Sequence, residues 1–232
     1  MDAPADRIPP EGGERLFNAP ARVVLLAASM PLLFLFQQGL PDFGLRYALR
    51  PALLWLGDWT GLLTSMLLHG GWVHAGMNAL GALAFGAPVA RRFPGLAGVL
   101  VVFALYIVCG VIGGLGFALV HPGGYEAVIG ASGAVFGLIG AATRLPASHE
   151  RRSGVLPLLD RRVLSAAAAW MAVNLFTGLI GLAPGAGGGR IAWEAHAFGF
   201  AAGLLLIGPL VRRLGRDPAS FDSPGGLSDP AA

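Results

Sequence analysis

The sequence predicts an all-α polytopic membrane protein, a bundle of six transmembrane helices, and three observations predict it. The chain is 55% hydrophobic and only 12% charged, about half the charge density of a soluble domain. Its apolar residues gather into six runs with arginines between them. Its 36 glycines outnumber its 16 basic and 13 acidic side chains together, and glycine is frequent in membrane helices because it lets backbones approach closely. A net charge of +3 would suit a nucleic-acid partner only if the basic residues formed a face or stripe. They flank apolar runs instead, as topology signals do, so no nucleic acid is expected. The sequence contains no lysine, a bias for which composition offers no physical reason. The single cysteine, Cys109, lies inside an apolar run, which excludes an intramolecular disulfide and argues against redox chemistry.

A membrane-crossing helix needs about 20 mostly apolar residues. Residues 1–21 mix acids, prolines and glycines, unlike a signal peptide, and read as a cytosolic tail. The spans predicted within a membrane domain at 22–213 are 22–38, 73–90, 95–120, 131–145, 163–181 and 192–211. The fourth is short for a full crossing, so it is expected to begin inside the membrane behind a loop. Between the first two spans lie residues 39–72, with Leu53, Trp55, Trp59, Leu62, Met66 and Trp72. Such content suits a loop lying in the membrane interface, where tryptophan is favoured. Residues 214–232 are polar and rich in proline and glycine, and disorder is expected there.

Thirteen arginines, among them Arg22, Arg91, Arg92, Arg144, Arg161, Arg162, Arg212 and Arg213, fall at alternate ends of the six spans. Only Arg46, Arg50 and Arg190 fall at the other ends. Basic residues are retained on the cytoplasmic side, which puts both termini in the cytosol.

Polar groups inside a membrane are costly and mark function by default. Three segments stand out. The run Gly130-Ala131-Ser132-Gly133-Ala134-Val135-Phe136-Gly137 opens the short fourth span. A serine at a helix start is favoured when it develops negative charge, and flanking glycines leave room for a substrate backbone. Equally, Ser132 reads as a helix cap beside a Gly133/Gly137 packing face. In the second segment, His69 to Asn78, His74 and Asn78 are four apart and project from one helix face. They can donate jointly into a cavity, as an oxyanion hole does, or satisfy each other. Zinc binding by His69, His74 and His196 lacks the His-Glu-x-x-His spacing, so neither metal nor other cofactor is expected. In the third segment, Trp193 to Gly203, His196 precedes a close-packing pair, Gly199 and Gly203. It is either a base or a structural hydrogen-bonding residue. Glu194, two positions away, points to nearly the opposite face, which favours a dyad over a triad.

Taken together these segments resemble the rhomboid family of intramembrane proteases, whose pattern is His-x-x-x-x-His-x-x-x-Asn, then Gly-x-Ser-Gly, then Ala-His-x-x-Gly-x-x-x-Gly. The matching residues are His69, His74 and Asn78; Gly130, Ser132 and Gly133; Ala195, His196, Gly199 and Gly203, within a resemblance running from about Trp55 to Val211. Two positions depart from it. Trp59 is followed by Thr60 where the family often has arginine, and Phe136, which can stack on His196, lacks a hydroxyl. The resemblance implies Ser132 as nucleophile, His196 as base, and an oxyanion held by the Ser132 amide with His74 and Asn78. His69, Gly130, Gly133, Phe136 and Gly199 would support the site or line a substrate groove. It further implies single-pass membrane protein substrates reaching the site laterally from the lipid bilayer, and a bacterial inner membrane as the location. The fifth span or the glycine-rich loop 184–190 is the expected gate. The rival readings are a catalytically inactive relative that binds client transmembrane helices, and a transporter.

Overall fold

Wherever glycine recurs every fourth residue on a helix, a neighbouring backbone can lie directly against it. This spacing organises the computed structural model, which describes residues 19–146, 154–181 and 191–215. Eight α-helices occur among the described residues: α1 (Ala21–Gln37), α2 (Pro51–Trp55), α3 (Gly61–Thr64), α4 (Trp72–Ala90), α5 (Gly95–Val120), α6 (Ser132–Thr143), α7 (Arg161–Ile180) and α8 (Trp193–Leu214). No strand occurs among these residues. The termini and the loop 184–190 proposed as a gate lie outside them, apart from the residues that border α1 and α8.

Four helices are long and apolar enough to cross a membrane: α4, the Gly98–Val120 part of α5, α7 and α8. The helices α1 and α6 are apolar but shorter, at 17 and 12 residues. At 1.5 Å per residue α6 measures about 18 Å, well short of a bilayer core of about 30 Å. Each long or short apolar helix falls within three residues of a span read from the sequence. The segment 39–72 differs from a plain loop, because α2, α3, a 3₁₀ turn at Ser65–Leu67 and a kinked pair of turns over Pro41–Tyr47, left-handed at Asp42, Phe43 and Gly44, give it local structure. Pro41 and Pro51 open two of these pieces, where proline's missing N–H costs nothing.

At the centre of the bundle α6 packs against both α5 and α8, which also pack directly on each other. A Cβ on Gly199 would strike the Gly133 carbonyl, and one on Gly203 the Gly137 carbonyl. Gly140 likewise lies against the Phe200 carbonyl, and Gly137 against Cys109 of α5. Around this seam Leu105, Cys109, Leu138, Phe200 and Ile207 form the apolar core. On the other flank α1 presents Val23, Leu26, Ala27, Met30, Phe34 and Gln37 at helical spacing, and Val23 fits against Gly86 of α4. By contrast α7 is attached thinly; its buried residues are Val163 and Asn174.

Arginines tie the same end of the bundle together. Arg22 donates to the carbonyls of Ala90 and Phe93, Arg92 to that of Gly154, and Arg144 to those of Leu156 and Leu204 at 2.9 Å each. The ends of α1, α4, α6 and α8 that carry arginine are therefore neighbours, as their alternation in sequence requires.

Replacing Gly203 with valine should force α6 and α8 apart and destabilise the fold by about 1–3 kcal/mol, the usual cost of overpacking. Thermal unfolding in detergent measures this against Gly76→Ala, where a Cβ meets open space and no shift is expected; equal midpoints would refute the seam's role.

Candidate active site

Ser132 is the first residue of α6, and the chain that delivers it is fixed from outside the bundle. Leu49 and Val128 exchange backbone hydrogen bonds at 3.0 and 2.9 Å, Ala52 donates to the Gly124 carbonyl at 2.9 Å, and Gly130 donates to the Ser65 carbonyl at 2.9 Å. The segment 39–72 thus acts as a brace for the approach to the serine. At Gly130 φ is +127°, a conformation L side chains rarely adopt. A Cβ there would also lie 2.8 Å from Cε1 and Nε2 of His74 and 3.6 Å from Ser132 Oγ. Glycine therefore keeps open the space between the serine and His74.

His196 stands in the first turn of α8, 64 residues from Ser132, with Nε2 2.7 Å from Ser132 Oγ. Its ring is stacked on Phe136 at 4.4 Å and within 4° of parallel. The turn that carries it sits low because the Ala195 carbonyl lies against Gly113 of α5 and Gly133 of α6. On the far side of the ring, Nδ1 is 2.9 Å from Oδ1 of Asn174 on α7. Asn174 was not among the residues singled out from sequence, although a polar group in the middle of an apolar span is itself the signal. Glu194 turns away, as its spacing implies, and meets His121 Nε2 at 2.9 Å.

Across the cavity, His74 accepts a hydrogen bond at Nδ1 from the Gly70 amide at 3.2 Å. A backbone N–H can only donate, so the neutral ring carries its proton on Nε2, the nitrogen beside Gly130. Asn78 gives one amide hydrogen to the His74 carbonyl at 3.0 Å, leaving the other available. His74, Asn78, Gly130, Ser132, Phe136 and His196 all line one cavity of about 1310 Å³. Gly133 lines it as well, whereas Gly199 is taken up by packing and His69 lies behind the wall.

His69 is fully buried, packs edge-on against His74 at 5.3 Å, and has no hydrogen-bond partner at either ring nitrogen among the described residues. Its backbone is clamped by Gln37, which accepts from its N–H at 2.8 Å and donates to its carbonyl at 3.0 Å. Burial, and secondarily the nearby His74, push the His69 imidazole down to about 4. Among the described residues no three His, Cys, Asp or Glu side chains are grouped to hold a metal ion.

Apolar helices enclosing a serine hydrogen-bonded to a histidine, with a second histidine facing them across a cavity, define a helical membrane protein with a site suited to nucleophilic chemistry. The sequence matches the Rhomboid domain over residues 56–213, so the chain belongs to the rhomboid family and is a multi-pass integral membrane protein. It is 42% identical over 84 residues to the Bacillus subtilis (strain 168) protein named "Putative rhomboid protease YdcA", covering 36% of this chain and 40% of that one. It is 34% identical over 94 residues to "RHOMBOID-like protein 5" of Arabidopsis thaliana, covering 40% and 29%. The chain thus spans less than half the length of either relative.

The position of His69 sets a pH dependence. Its folded pKa, about 4, lies below the ordinary 6.5, so the stability tied to its neutral form is complete above 6.5 and declines as pH falls from 6.5 to 4. On the order of 3 kcal/mol is at stake over that window. Chemical unfolding between pH 7 and 4 should show a shallower decline for His69→Phe than for wild type; parallel curves would refute the assignment.

Proposed function

We propose that this protein is an intramembrane serine endopeptidase that cleaves transmembrane segments of membrane proteins by a Ser132–His196 dyad. The observation that carries this reading is the 2.7 Å contact between Ser132 Oγ and His196 Nε2 at the wall of the cavity. Family membership supports it. In the reaction, Ser132 Oγ attacks the peptide carbonyl carbon while His196 Nε2 takes its proton. The carbonyl oxygen becomes an oxyanion in the space over Gly130, held by His74 Nε2–H, the free Asn78 hydrogen and the Ser132 amide. Collapse breaks the carbon–nitrogen bond, and His196 returns the proton to the departing amine. Water, activated by His196, then hydrolyses the acyl-serine and restores the enzyme.

In this reading α1 and α6 complete a six-helix membrane domain at residues 22–213, with the arginine-tied end and both termini on the cytosolic side of a bacterial inner membrane. Non-helical backbone at membrane depth is tolerated where it lines a water-filled cavity, and the segment 127–130 does so. Single-pass membrane proteins are the proposed substrates, reaching the cavity sideways from the lipid. A catalytically inactive relative that binds client helices would have no use for a serine held against a histidine.

The test is cleavage of a single-span substrate by purified protein, with labelling by a fluorophosphonate in parallel. Wild type should cleave and label, while Ser132→Ala and His196→Ala should do neither at matched folding. His74→Ala should cost about 10²-fold in turnover, as loss of an oxyanion donor does. Cleavage that survives Ser132→Ala would refute the serine mechanism, and a folded wild type that neither labels nor cleaves would favour the client-binding relative.

A further inference from the structure

The His196 imidazole is a base only if its proton sits on Nδ1, leaving a lone pair on Nε2 for the serine. Nothing on α8 or α6 enforces that. Phe136 stacks on the ring face and cannot distinguish the two nitrogens, and Glu194 is engaged with His121. The choice is made on α7. Asn174, 1% exposed, donates from Nδ2 to the Trp193 carbonyl at 2.8 Å and meets His196 Nδ1 with Oδ1 at 2.9 Å.

A carbonyl oxygen can only accept, so the amide's NH₂ must face Trp193. The amide oxygen must then face His196, and it too can only accept. The imidazole is thereby obliged to carry its proton on Nδ1 and to present Nε2 to Ser132. Hydrogen bonds run in one direction from ring to amide to backbone, and a reversed amide would set oxygen against oxygen at Trp193. The donors and acceptors along this chain are all neutral, which suits a site where burying a carboxylate would be costly.

We infer that Asn174 is the positioning residue that fixes the tautomer and orientation of His196, and that the docking of α7 is thereby coupled to the competence of the base. The inference rests on the endopeptidase reading for its catalytic consequence, while the tautomer itself is independent of it. Only Val163 and this asparagine are buried among the described residues of α7. A helix held so lightly by apolar contact is placed against the site by a polar one, and any displacement of α7 from α8 removes the acceptor from Nδ1.

The experiment compares wild type, Asn174→Ala and Asn174→Asp in detergent, reading kcat and KM for a single-span substrate, the rate of fluorophosphonate labelling, and the thermal midpoint. Asn174→Ala should lower kcat and labelling about 10- to 10²-fold, the usual cost of losing a residue that orients another, with KM within about twofold. Asn174→Asp in its neutral form keeps a carbonyl oxygen for Nδ1–H and offers an O–H to the Trp193 carbonyl in place of the amide N–H, so with the carboxyl protonated it should recover most of the labelling rate. An aspartate variant that falls as far as alanine, or an alanine variant as fast as wild type, would overturn the proposal. Nitrogen NMR of histidine-labelled protein, assigned by difference against His196→Ala, should show wild-type His196 protonated at Nδ1 only. A ring protonated at Nε2 would overturn it whatever the protein cleaves, whereas that Nδ1 signature in a protein that neither labels nor cleaves would reject the endopeptidase reading alone.

Discussion

A peptide carbonyl resting on a glycine Cα is the contact from which the rest of this structure follows. It recurs where Gly133 meets Gly199, where Gly137 meets Gly203 and where Gly140 meets Phe200. In lipid there is little hydrophobic gain from pressing two helices together, so close van der Waals contact and polar bonds must hold them. The seam brings α6 and α8 to backbone contact, and at its upper end the same closeness leaves Ser132 and His196 within hydrogen-bond reach. Side chains at these glycines would separate Ser132 from His196 along with the helices.

Among the described residues no carboxylate is hydrogen-bonded to His196. The site's polar groups are a hydroxyl, two imidazoles and two amides, each with a defined partner, which for Asn78 lies within α4 and for the others lies outside their own helix. His74 takes its tautomer from the Gly70 amide at the start of α4, and Ser132 takes its position from backbone bonds to the 39–72 segment. Neutral groups avoid the penalty of an ion in an apolar interior, but they hold one another by direction more than by charge. Such a site depends on exact hydrogen-bond geometry, which explains why so much of the chain is given to bracing it.

Much of this was legible in the sequence because the membrane simplifies the code. Apolar length and arginine alternation located α1, α4, α5, α6, α7 and α8 to within a few residues, and the polar residues Ser132, His196, His74 and Asn78 stood out against them. The short helices in 39–72 were not legible, since their order comes from contacts with distant segments such as Leu49 with Val128. Gly113 also passed unnoticed, one glycine among 36, although the Ala195 carbonyl needs its bare Cα. Asn174 was missed for a different reason. It belongs to no motif, and its meaning appears only when α7 is laid beside the first turn of α8.

The separation of Ser132 from His196 along the chain has a consequence for how the protein is made. A ribosome that has finished α6 has produced the serine in a helix of 12 residues, too short to settle across a bilayer unaided. Its partners in the seam, Gly199 and Gly203, are translated last among the packed helices. Until α8 emerges and docks, Ser132 lacks its contact with His196 and the cavity lacks the wall that α8 supplies. On the proposed endopeptidase reading, the docking of α8 is therefore the step that would turn the chain on, and a nascent chain still lacking α8 would leave untouched the neighbours beside which it is being inserted.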